Sequence, residues 1–473
     1  MLPGNGSSLN RDIVGLAVPA LGSLVAGPLF VLADTAIVGH VGQAALAGLS
    51  LASNLVMLVV GLCVFLVFAT TTTVARLSGA GRSAEALRAG VDGMWLAAGL
   101  GVVIAVAMFT LAPWATSALG GTGEVAVQSV AYLRAVAPGM PGMLIVLAAT
   151  GALRGVKNLR APLVVAAVGA AVNAGLNYVL VFGGEWGIAG SGAGTALVQW
   201  GMALWLAVLV ARGARRRGVA LRPAPAGVWG GMVEGTPLLV RTLSLRAAII
   251  LTVVVATRMG DVVLAGHQIV GSVWGFAAFA LDALAIAAQA LIGHAVGAGR
   301  VDDVRSILRR CIMWGIAGGL VLGAVVAGGA GWIAPMFTGS VAVRDAAVAG
   351  LVVVGVMMPL GGFVFVLDGV LMGTGDGRFL AGAGLVTVAV YLPVLWGVDA
   401  WAAVAQGSGG WGASLRAMMP WGQVADGASF SSATGLAWLW IAFAGIFMAA
   451  RATTTAHRIR NSAWLASSPH RKV

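Results

Sequence analysis

The sequence predicts an all-α integral membrane protein with about twelve transmembrane helices in two parallel-repeat six-helix bundles, an N-lobe and a C-lobe. Composition supports this fold class, because the 473-residue chain is 59% hydrophobic and only 9% charged, whereas soluble domains are about 25% charged. The mean hydropathy of +0.97 agrees with it. The other two observations are a series of long apolar runs and a repeat that relates the two halves of the chain.

The apolar runs define the transmembrane helices. A run of about 18 or more apolar residues is long enough to cross a bilayer as a helix. Such runs lie near residues 13–37, 50–73, 91–113, 130–153, 161–182, 191–211, 236–257, 264–292, 312–334, 347–371, 380–397 and 433–450. The first run contains Pro19, Pro28 and Asp34 and is followed by further spans, so we interpret it as a retained, bent helix and not as a cleaved signal peptide.

The positive charges predict the orientation. With a cytoplasmic N-terminus, the inner loops and tails hold 22 of the 28 Lys and Arg residues, Arg451 among them. Four fall on the outer side: Arg134, Arg258, Arg344 and Arg416. This distribution follows the positive-inside rule and places both termini in the cytoplasm and the protein in the cytoplasmic membrane. The run Arg215–Arg217 is then a topology signal. We expect no nucleic-acid partner, because no soluble segment is large enough to form a basic face.

The two halves of the chain repeat at a fixed offset of 218 residues. Residues 79–82, of sequence GAGR, recur at 297–300, and Met140-Pro141 recurs as Met358-Pro359. Each half holds six spans, so both halves enter the membrane in the same direction. Parallel repeats of this kind are typical of secondary transporters that rock two bundles about a central site. We predict an N-lobe at 1–211, a cytoplasmic linker at 212–235 and a C-lobe at 236–473 with an outer insertion at about 398–432.

Polar residues within the N-terminal spans predict a site for a coupling ion. An acid at the bilayer centre is unfavourable unless it faces a cavity or a partner, so Asp34 indicates function. Asn173 and Asn177 are four residues apart and share a helix face, with Tyr178 beside them, and Thr195 lies on the next span. We expect Asp34 to exchange a proton among these amides and hydroxyls. The alternative is a permanently protonated aspartate that only makes a packing hydrogen bond.

The C-terminal half predicts a second polar site, for substrate or cation. It comprises Asp282 and Gln289 in span eight, Asp368 in span ten and Arg246 in span seven. We expect Arg246 to pair with an acid or to line water, and Arg241 to extend toward the cytoplasmic face. The 218-residue offset does not superimpose the acids of the two halves, so the fold is duplicated but its chemistry is not.

Signals for enzymatic activity are weak. The histidines show no metal-ligand spacing, and no glycine-rich stretch continues into the Lys-Ser/Thr of a phosphate-binding loop. We therefore expect no enzyme activity, no metal and no cofactor. The energy for transport would then come from an ion gradient or a partner.

Several segments, in this order, resemble the signature of the multidrug and toxic compound extrusion (MATE) family, in its DinF-like branch. They are DTAIVGH at 34–40, NAGLNY at 173–178, WGIAGSGAGT at 186–195, LDALAIAAQALIG at 281–293 and LDGVLMGTGD at 367–376. The similarity extends from about residue 10 to 397 and from 433 to 460. It implies a twelve-helix, two-lobed exporter that exchanges H⁺ or Na⁺ for organic, often cationic and lipophilic, compounds.

The resemblance also implies roles for single residues. The N-lobe cation site would place its carboxylate at Asp34, with Asn173 and Thr195 as neighbours. The family often has a second carboxylate where this chain has Asn177, and the acid of other branches in span seven is missing, which favours H⁺ over Na⁺. The sequence thus predicts a proton-coupled antiporter that works by alternating access on small molecules, as a monomer in the bilayer. Alternatives are a flippase for lipids or lipid-linked sugars and a receptor without transport.

Overall fold

The computed structural model describes residues 6–406, 431–461 and 464. Within these residues the regular elements are all helical, and twelve helices are long and apolar enough to cross a membrane. They are α1 (Gly6–Val38), α2 (Gln43–Gly79), α3 (Ser83–Ala118), α4 (Gly123–Gly155), α5 (Arg160–Gly183), α6 (Gly187–Arg215), α7 (Pro225–Arg258), α8 (Asp261–Gly297), α9 (Val301–Phe337), α10 (Val341–Thr374), α11 (Gly377–Ala405) and α12 (Ser432–Arg460).

The predicted spans are confirmed in number and order, but the helices extend further than the apolar runs. α7 begins at Pro225, inside the predicted linker, and proline is well suited to the first turn of a helix. α11 continues through 398–405, which the sequence analysis assigned to an insertion; these residues are mostly apolar, and Asp399 pairs with Arg258 at 2.9 Å. Of the rest of the predicted insertion, residues 407–430 lie outside the described residues, and at its end Ser431 caps α12, which begins at Ser432.

Several helices depart from regular α-helical geometry. α2 is interrupted at Cys63 and Val64, and α4 contains a 3₁₀ turn at Ala137–Gly139. α5 ends in a π-helix at Val179–Gly183, and α12 contains one at Ile441–Phe447. π-Helical segments often occur beside functional sites, and both lie next to a cluster of buried polar side chains. α1 remains helical through both of its prolines.

The loops that follow α2, α4, α6 and α8 define the basic end of the molecule, with Arg82, Lys157, Arg215–Arg217 and Arg300. Here the ends of α2 and α8 pack together through two repeat-related glycines. A Cβ on Gly79 would lie 2.7 Å from the His294 Cα, and one on Gly297 would lie 2.7 Å from the Arg76 carbonyl carbon. His294 follows Arg76 by the 218-residue offset. The contact is therefore pseudo-symmetric.

Side-chain hydrogen bonds also join the N-terminal half (α1–α6) to the C-terminal half (α7–α12) at the basic end. Thr72 Oγ1 on α2 donates to the Met372 carbonyl of α10 at 2.7 Å. Gln289 on α8 donates to the Phe68 carbonyl and to Thr72 Oγ1, both at 2.9 Å. These side chains are buried, so their polar groups are satisfied by the opposite half rather than by water. The two halves are closed against each other at this end.

This closure predicts the effect of adding one methyl group. We expect Gly79→Ala to force α2 and α8 apart, because the new Cβ meets backbone and not a flexible side chain. With a Thr72→Cys reporter in a background lacking Cys63 and Cys311, labelling by an impermeant maleimide should rise severalfold. Gly328→Ala, where the Cβ meets nothing within 4 Å, is the control. Equal labelling of Gly79→Ala and its parent would argue against this contact as a determinant of closure.

Candidate functional site

The Asp34 carboxylate lies buried on α1 and faces donors from three other helices. Asn177 Nδ2 of α5 donates to Oδ1. The Tyr132 hydroxyl of α4 donates to Oδ2 at 3.2 Å, and Thr195 Oγ1 of α6 donates to the same oxygen at 3.5 Å. Donated hydrogen bonds stabilise the ionised carboxylate, whereas burial without water disfavours it. For Asp34, the hydrogen bonds therefore favour the ionised carboxylate, while burial favours the protonated form.

Asn173 supports this site without touching the carboxylate. Its Nδ2 donates to Thr195 Oγ1 at 3.0 Å, and its Oδ1 accepts from Asn177 Nδ2 at 3.3 Å. Asn173 and Asn177 can share this role because residues four apart lie on one face of α5. The amides and the hydroxyl form a connected network, so a change at Asp34 would be transmitted to α5 and α6.

Two buried oxygen atoms beside the carboxylate have no hydrogen-bond partner at bonding distance within the described part of the chain: the amide acceptor Asn177 Oδ1 and the hydroxyl Ser191 Oγ. Ser191 lies one turn before Thr195 and faces Asp34. Buried polar atoms are rarely left unpaired, and each unpaired one calls for an explanation. The site thus presents donors to an ionised Asp34, leaves the acceptor Asn177 Oδ1 unused, and holds a Ser191 hydroxyl that can donate or accept.

A glycine allows α6 to approach α5 at this site. Asn177 Oδ1 lies directly against Gly194, where an added Cβ would overlap that oxygen and lie 3.1 Å from Asn177 Cγ. We expect Gly194→Ala to displace the Asn177 amide and to reduce transport strongly, although it changes no charge. Gly201→Ala on the same helix is the matched control, because its Cβ would meet nothing within 4 Å. Equal transport rates in proteoliposomes for the two variants would show that Asn177 need not sit where the structure places it.

The structure brings together all four residues predicted for the N-lobe site: Asp34, Asn173, Asn177 and Thr195. Tyr178, expected beside them, is instead 61% exposed and packs on the Phe182 ring. Tyr132 occupies the site in its place. Sequence reasoning missed Tyr132, and the available signal was weak: it is one of three tyrosines in the chain and lies within a membrane span.

A buried ion triad lies in the C-terminal half. Asp368 Oδ2 on α10 accepts from Arg241 of α7 at 2.6 Å and from Arg451 of α12. The expectation that Arg241 extends to the cytoplasmic face is wrong, because the buried carboxylate binds its guanidinium group. The placement of Arg451 in the cytoplasmic tail is also wrong, since α12 continues to Arg460 and carries Arg451 inside the protein.

Asp282 lies next to this triad on α8 and is half-buried. It has electrostatic interactions with Arg241, Arg451 and Arg154, the last of which comes from α4 of the N-terminal half. Asp282 itself makes no hydrogen bond to the residues that the structure describes. The cluster therefore holds three guanidinium groups and two carboxylates.

The other two residues predicted for the C-lobe site lie elsewhere. Gln289 is committed to hydrogen bonds with α2 at the basic end. Arg246 is exposed, and its guanidinium group lies against Gly61 of α2. Within residues 6–406 and 431–461 Arg246 forms no ion pair, so the expected pairing with an acid is absent. Lining of an aqueous space, the other expectation for Arg246, agrees with its exposure.

Comparison with known proteins places the chain in a family. The profile described as MatE matches residues 19–179 and 237–396, one segment in each half of the chain. The chain belongs to the MATE family. The matched segments begin 218 residues apart, at 19 and 237, which is the offset of the internal repeat. This MATE protein is a multi-pass membrane protein of a family of multidrug and toxic compound efflux transporters, and MATE proteins are transporters rather than enzymes.

Curated relatives of this MATE chain come from a plant and a bacterium. Protein DETOXIFICATION 44, chloroplastic, from Arabidopsis thaliana is 30% identical over 391 residues, which cover 80% of this chain and 74% of the relative. DNA damage-inducible protein F from Escherichia coli K12 is 26% identical over 410 residues, covering 84% and 89%. The second similarity agrees with the DinF-like motifs of the sequence.

The fold also matches solved structures. A MATE crystal structure described as the straight conformation superimposes with a TM-score of 0.81 at 20% sequence identity, covering 97% of each chain. At this identity the match concerns the fold alone. The architecture of two six-helix lobes predicted from the repeat is therefore that of known MATE transporters.

Proposed function

We propose that this MATE protein is a secondary active exporter driven by protons, with Asp34 as the group that carries the coupling proton. One observation carries the proposal: the buried carboxylate faces three donors, while the unpaired acceptor Asn177 Oδ1 and the Ser191 hydroxyl, which can donate or accept, lie beside it. An ionised Asp34 uses the donors. A protonated Asp34 becomes a donor itself and needs an acceptor, which Asn177 Oδ1 or Ser191 Oγ supplies.

Protonation of Asp34 would then do more than neutralise the carboxylate: it would rearrange the hydrogen bonds around it. If Asn177 turns its amide so that Oδ1 accepts from the protonated carboxyl, its Nδ2 leaves Asp34. The hydrogen bond from Nδ2 to Asn173 Oδ1 changes in the same step, and Asn173 holds Thr195 on α6. A proton on α1 would thus alter the contacts of α1 with α5 and α6, which is the coupling that transport requires.

The ligand set favours H⁺ over Na⁺. A hard cation such as Na⁺ is bound by several oxygen atoms. The N-terminal site holds one carboxylate, and Asn177 directs its NH₂ group, not its oxygen, toward that carboxylate. The hydroxyls of Tyr132 and Thr195 donate to it as well. A single proton satisfies this set of groups without further ligands.

Alternating access between two lobes, 1–211 and 236–473, is the proposed cycle, with both termini in the cytoplasm. Closure at the basic end then corresponds to a state that is shut toward the cytoplasm. One charge moved through about 180 mV supplies roughly 4 kcal/mol, enough for about a thousandfold gradient of a neutral solute. A single coupling carboxylate therefore suffices.

We propose organic compounds, cationic or lipophilic, as substrates, and the cytoplasmic membrane as the location. The protein would act as a monomer and without a cofactor beyond the coupling ion. Family membership supports export of small molecules and does not favour the alternative of a flippase for lipids or lipid-linked sugars. The C-lobe carboxylates are proposed to have different roles: Asp368 is structural, since two guanidinium groups occupy it, whereas Asp282 remains available to cation or substrate.

Proteoliposomes with separately imposed gradients test the proposal. We expect a pH gradient alone to drive ethidium transport by the purified protein, and a proton uncoupler to abolish it. A Na⁺ gradient at equal pH should have no effect. Transport that follows the Na⁺ gradient and survives the uncoupler would overturn proton coupling, and scrambling of labelled lipid without ethidium transport would favour the flippase.

A further inference from the structure

A pocket of about 400 Å³ opens at the basic end, and none of its lining residues belongs to either polar cluster. It lies between the start of α1, the turn that joins α4 to α5, and the last part of α8. Its lining residues are Arg11, Asp12, Gly15, Leu16, Lys157, Asn158, Leu159, Arg160 and Leu291. The volume falls in the range of about 300–1,000 Å³ that is usual for ligand sites.

The charges around this pocket are unbalanced. Arg11, Lys157 and Arg160 contribute three cations, and Asp12 is the single acid of the lining. Within the described residues, no carboxylate lies within ion-pair distance of any of the three cations. Asp12 offsets part of this charge, and the lining keeps a net positive charge.

The turn between α4 and α5 carries Lys157 and leads into the start of α5, where Arg160 lies. Lys157 adopts a left-handed backbone conformation with φ of 63°, which is uncommon outside glycine. Asn158 Oδ1 accepts a hydrogen bond from the Ala161 amide at 3.2 Å and anchors the start of α5. Desolvation by neighbouring protein atoms lowers the pKa of Lys157, whose side chain is otherwise exposed; Asp12 opposes this shift and Arg300 adds to it. A bound anion would favour the charged lysine.

We propose that this pocket binds a phosphate group, carried either by an anionic phospholipid or by a soluble phosphate compound. Guanidinium and ammonium groups are the usual partners of phosphate oxygens. Basic pockets between transmembrane helices on the cytoplasmic side are typical sites for anionic headgroups. The floor of the pocket is apolar, formed by Leu16, Leu159 and Leu291, and suits the glycerol and upper acyl carbons of a lipid.

The ligand would contact both halves of the protein. Arg11 and Lys157 belong to the N-terminal half, whereas Leu291 lies on α8, close to the glycine contact that closes the basic end. A group bound here would favour the closed arrangement over one in which the halves separate, by its differential affinity for the two. Phosphate binding would thus stabilise the described conformation.

Thermal stability and native mass spectrometry in lipid nanodiscs test the proposal with three proteins. The pocket variant is Arg11→Gln/Lys157→Gln/Arg160→Gln. The control, Arg215→Gln/Arg216→Gln/Arg217→Gln, removes the same charge from exposed positions outside the pocket. Each protein is placed in discs of phosphatidylcholine alone and in discs that contain phosphatidylcholine and phosphatidylglycerol in equal parts. We expect phosphatidylglycerol to raise the Tm of wild type and control, and to remain bound to both as a lipid adduct in the mass spectrum. The pocket variant should show neither effect.

A second arm distinguishes the source of the phosphate. If inorganic phosphate, at ionic strength matched with chloride, stabilises wild type and control in detergent while phosphatidylglycerol does not, the ligand is soluble. The charge-conserving variant Arg11→Lys/Lys157→Arg/Arg160→Lys should respond as wild type does, which separates lost binding from misfolding. The proposal is wrong if the pocket variant responds like wild type, or if neither ligand shifts Tm of any protein.

Discussion

Asp34→Asn is expected to abolish gradient-driven export. Asparagine has nearly the same shape as aspartate, so the packing around α1 is kept, but it neither binds nor releases a proton near neutral pH. In proteoliposomes with an imposed proton gradient, the steady-state substrate ratio should fall from as much as about a thousandfold to about one. The same vesicles should still exchange substrate down its own gradient, because only the coupling is lost.

Asp302→Asn provides the control for Asp34→Asn. Its side chain is fully exposed and takes part in no buried network, so we expect wild-type accumulation. Asp34→Glu should retain partial coupling, since it keeps an ionisable group but moves it relative to Asn177 and Tyr132. Uphill accumulation by Asp34→Asn vesicles at the wild-type ratio would remove Asp34 from the coupling step.

Asp368→Asn is expected to destabilise the folded protein by about 3–5 kcal/mol, the usual effect of removing one partner of a buried ion pair. The substitution leaves the guanidinium groups of Arg241 and Arg451 buried, with side-chain exposures of 11% and 9%, and without their carboxylate. Loss of Tm and of the monodisperse peak in detergent would report this effect. Asp303→Asn, which breaks the exposed pair with Arg300, should change stability by at most about 1 kcal/mol.

A compensated variant distinguishes a structural triad from a binding site. Arg241→Met/Asp368→Leu/Arg451→Met removes all three charges together, and replacing a complete buried ion cluster by apolar groups is often neutral for stability. We expect it to recover most of the Tm lost in Asp368→Asn and to keep substantial proton-driven transport. Recovered Tm with no transport would instead assign Asp368 to substrate or cation binding.

The sequence predicts the fold and about half of the buried polar contacts, and the physical reasons can be stated. A bilayer requires every backbone group to be paired within a helix, so apolar runs predict helices directly. Asn173 and Asn177 share a face because the helix period fixes their spacing. A buried acid needs hydrogen-bonding partners, and this amide surface was the one the sequence made visible for Asp34.

The remaining polar contacts depend on packing between distant helices, which periodicity does not encode. Tyr132 reaches Asp34 across 98 residues of sequence, and Arg451 reaches Asp368 across 83. A long arginine on a membrane helix has two satisfactory solutions, to extend to the surface or to meet a buried acid. For Arg241 the choice follows from helix packing, which brings its guanidinium group within 2.6 Å of Asp368 on α10.

The internal repeat is also visible in the sequence, but the contact that it forms cannot be predicted from the sequence alone. The recurrence of GAGR at 79–82 and 297–300 is visible in the sequence, and glycine there indicates a turn or a close approach. That Gly79 and Gly297 each face the other half, at Arg76 and His294, becomes apparent only when the two halves are placed together. Offset residues then prove to be partners in one pseudo-symmetric contact.

Proton release on substrate binding tests most directly whether Asp34 carries the coupling proton. In weakly buffered detergent solution below neutral pH, adding ethidium to wild-type protein should release about one proton per chain, because the N-terminal site holds a single carboxylate that substrate binding converts to the ionised form. Asp34→Asn should bind ethidium and release none. Equal proton release from both proteins would contradict the assignment and place the titrating group elsewhere.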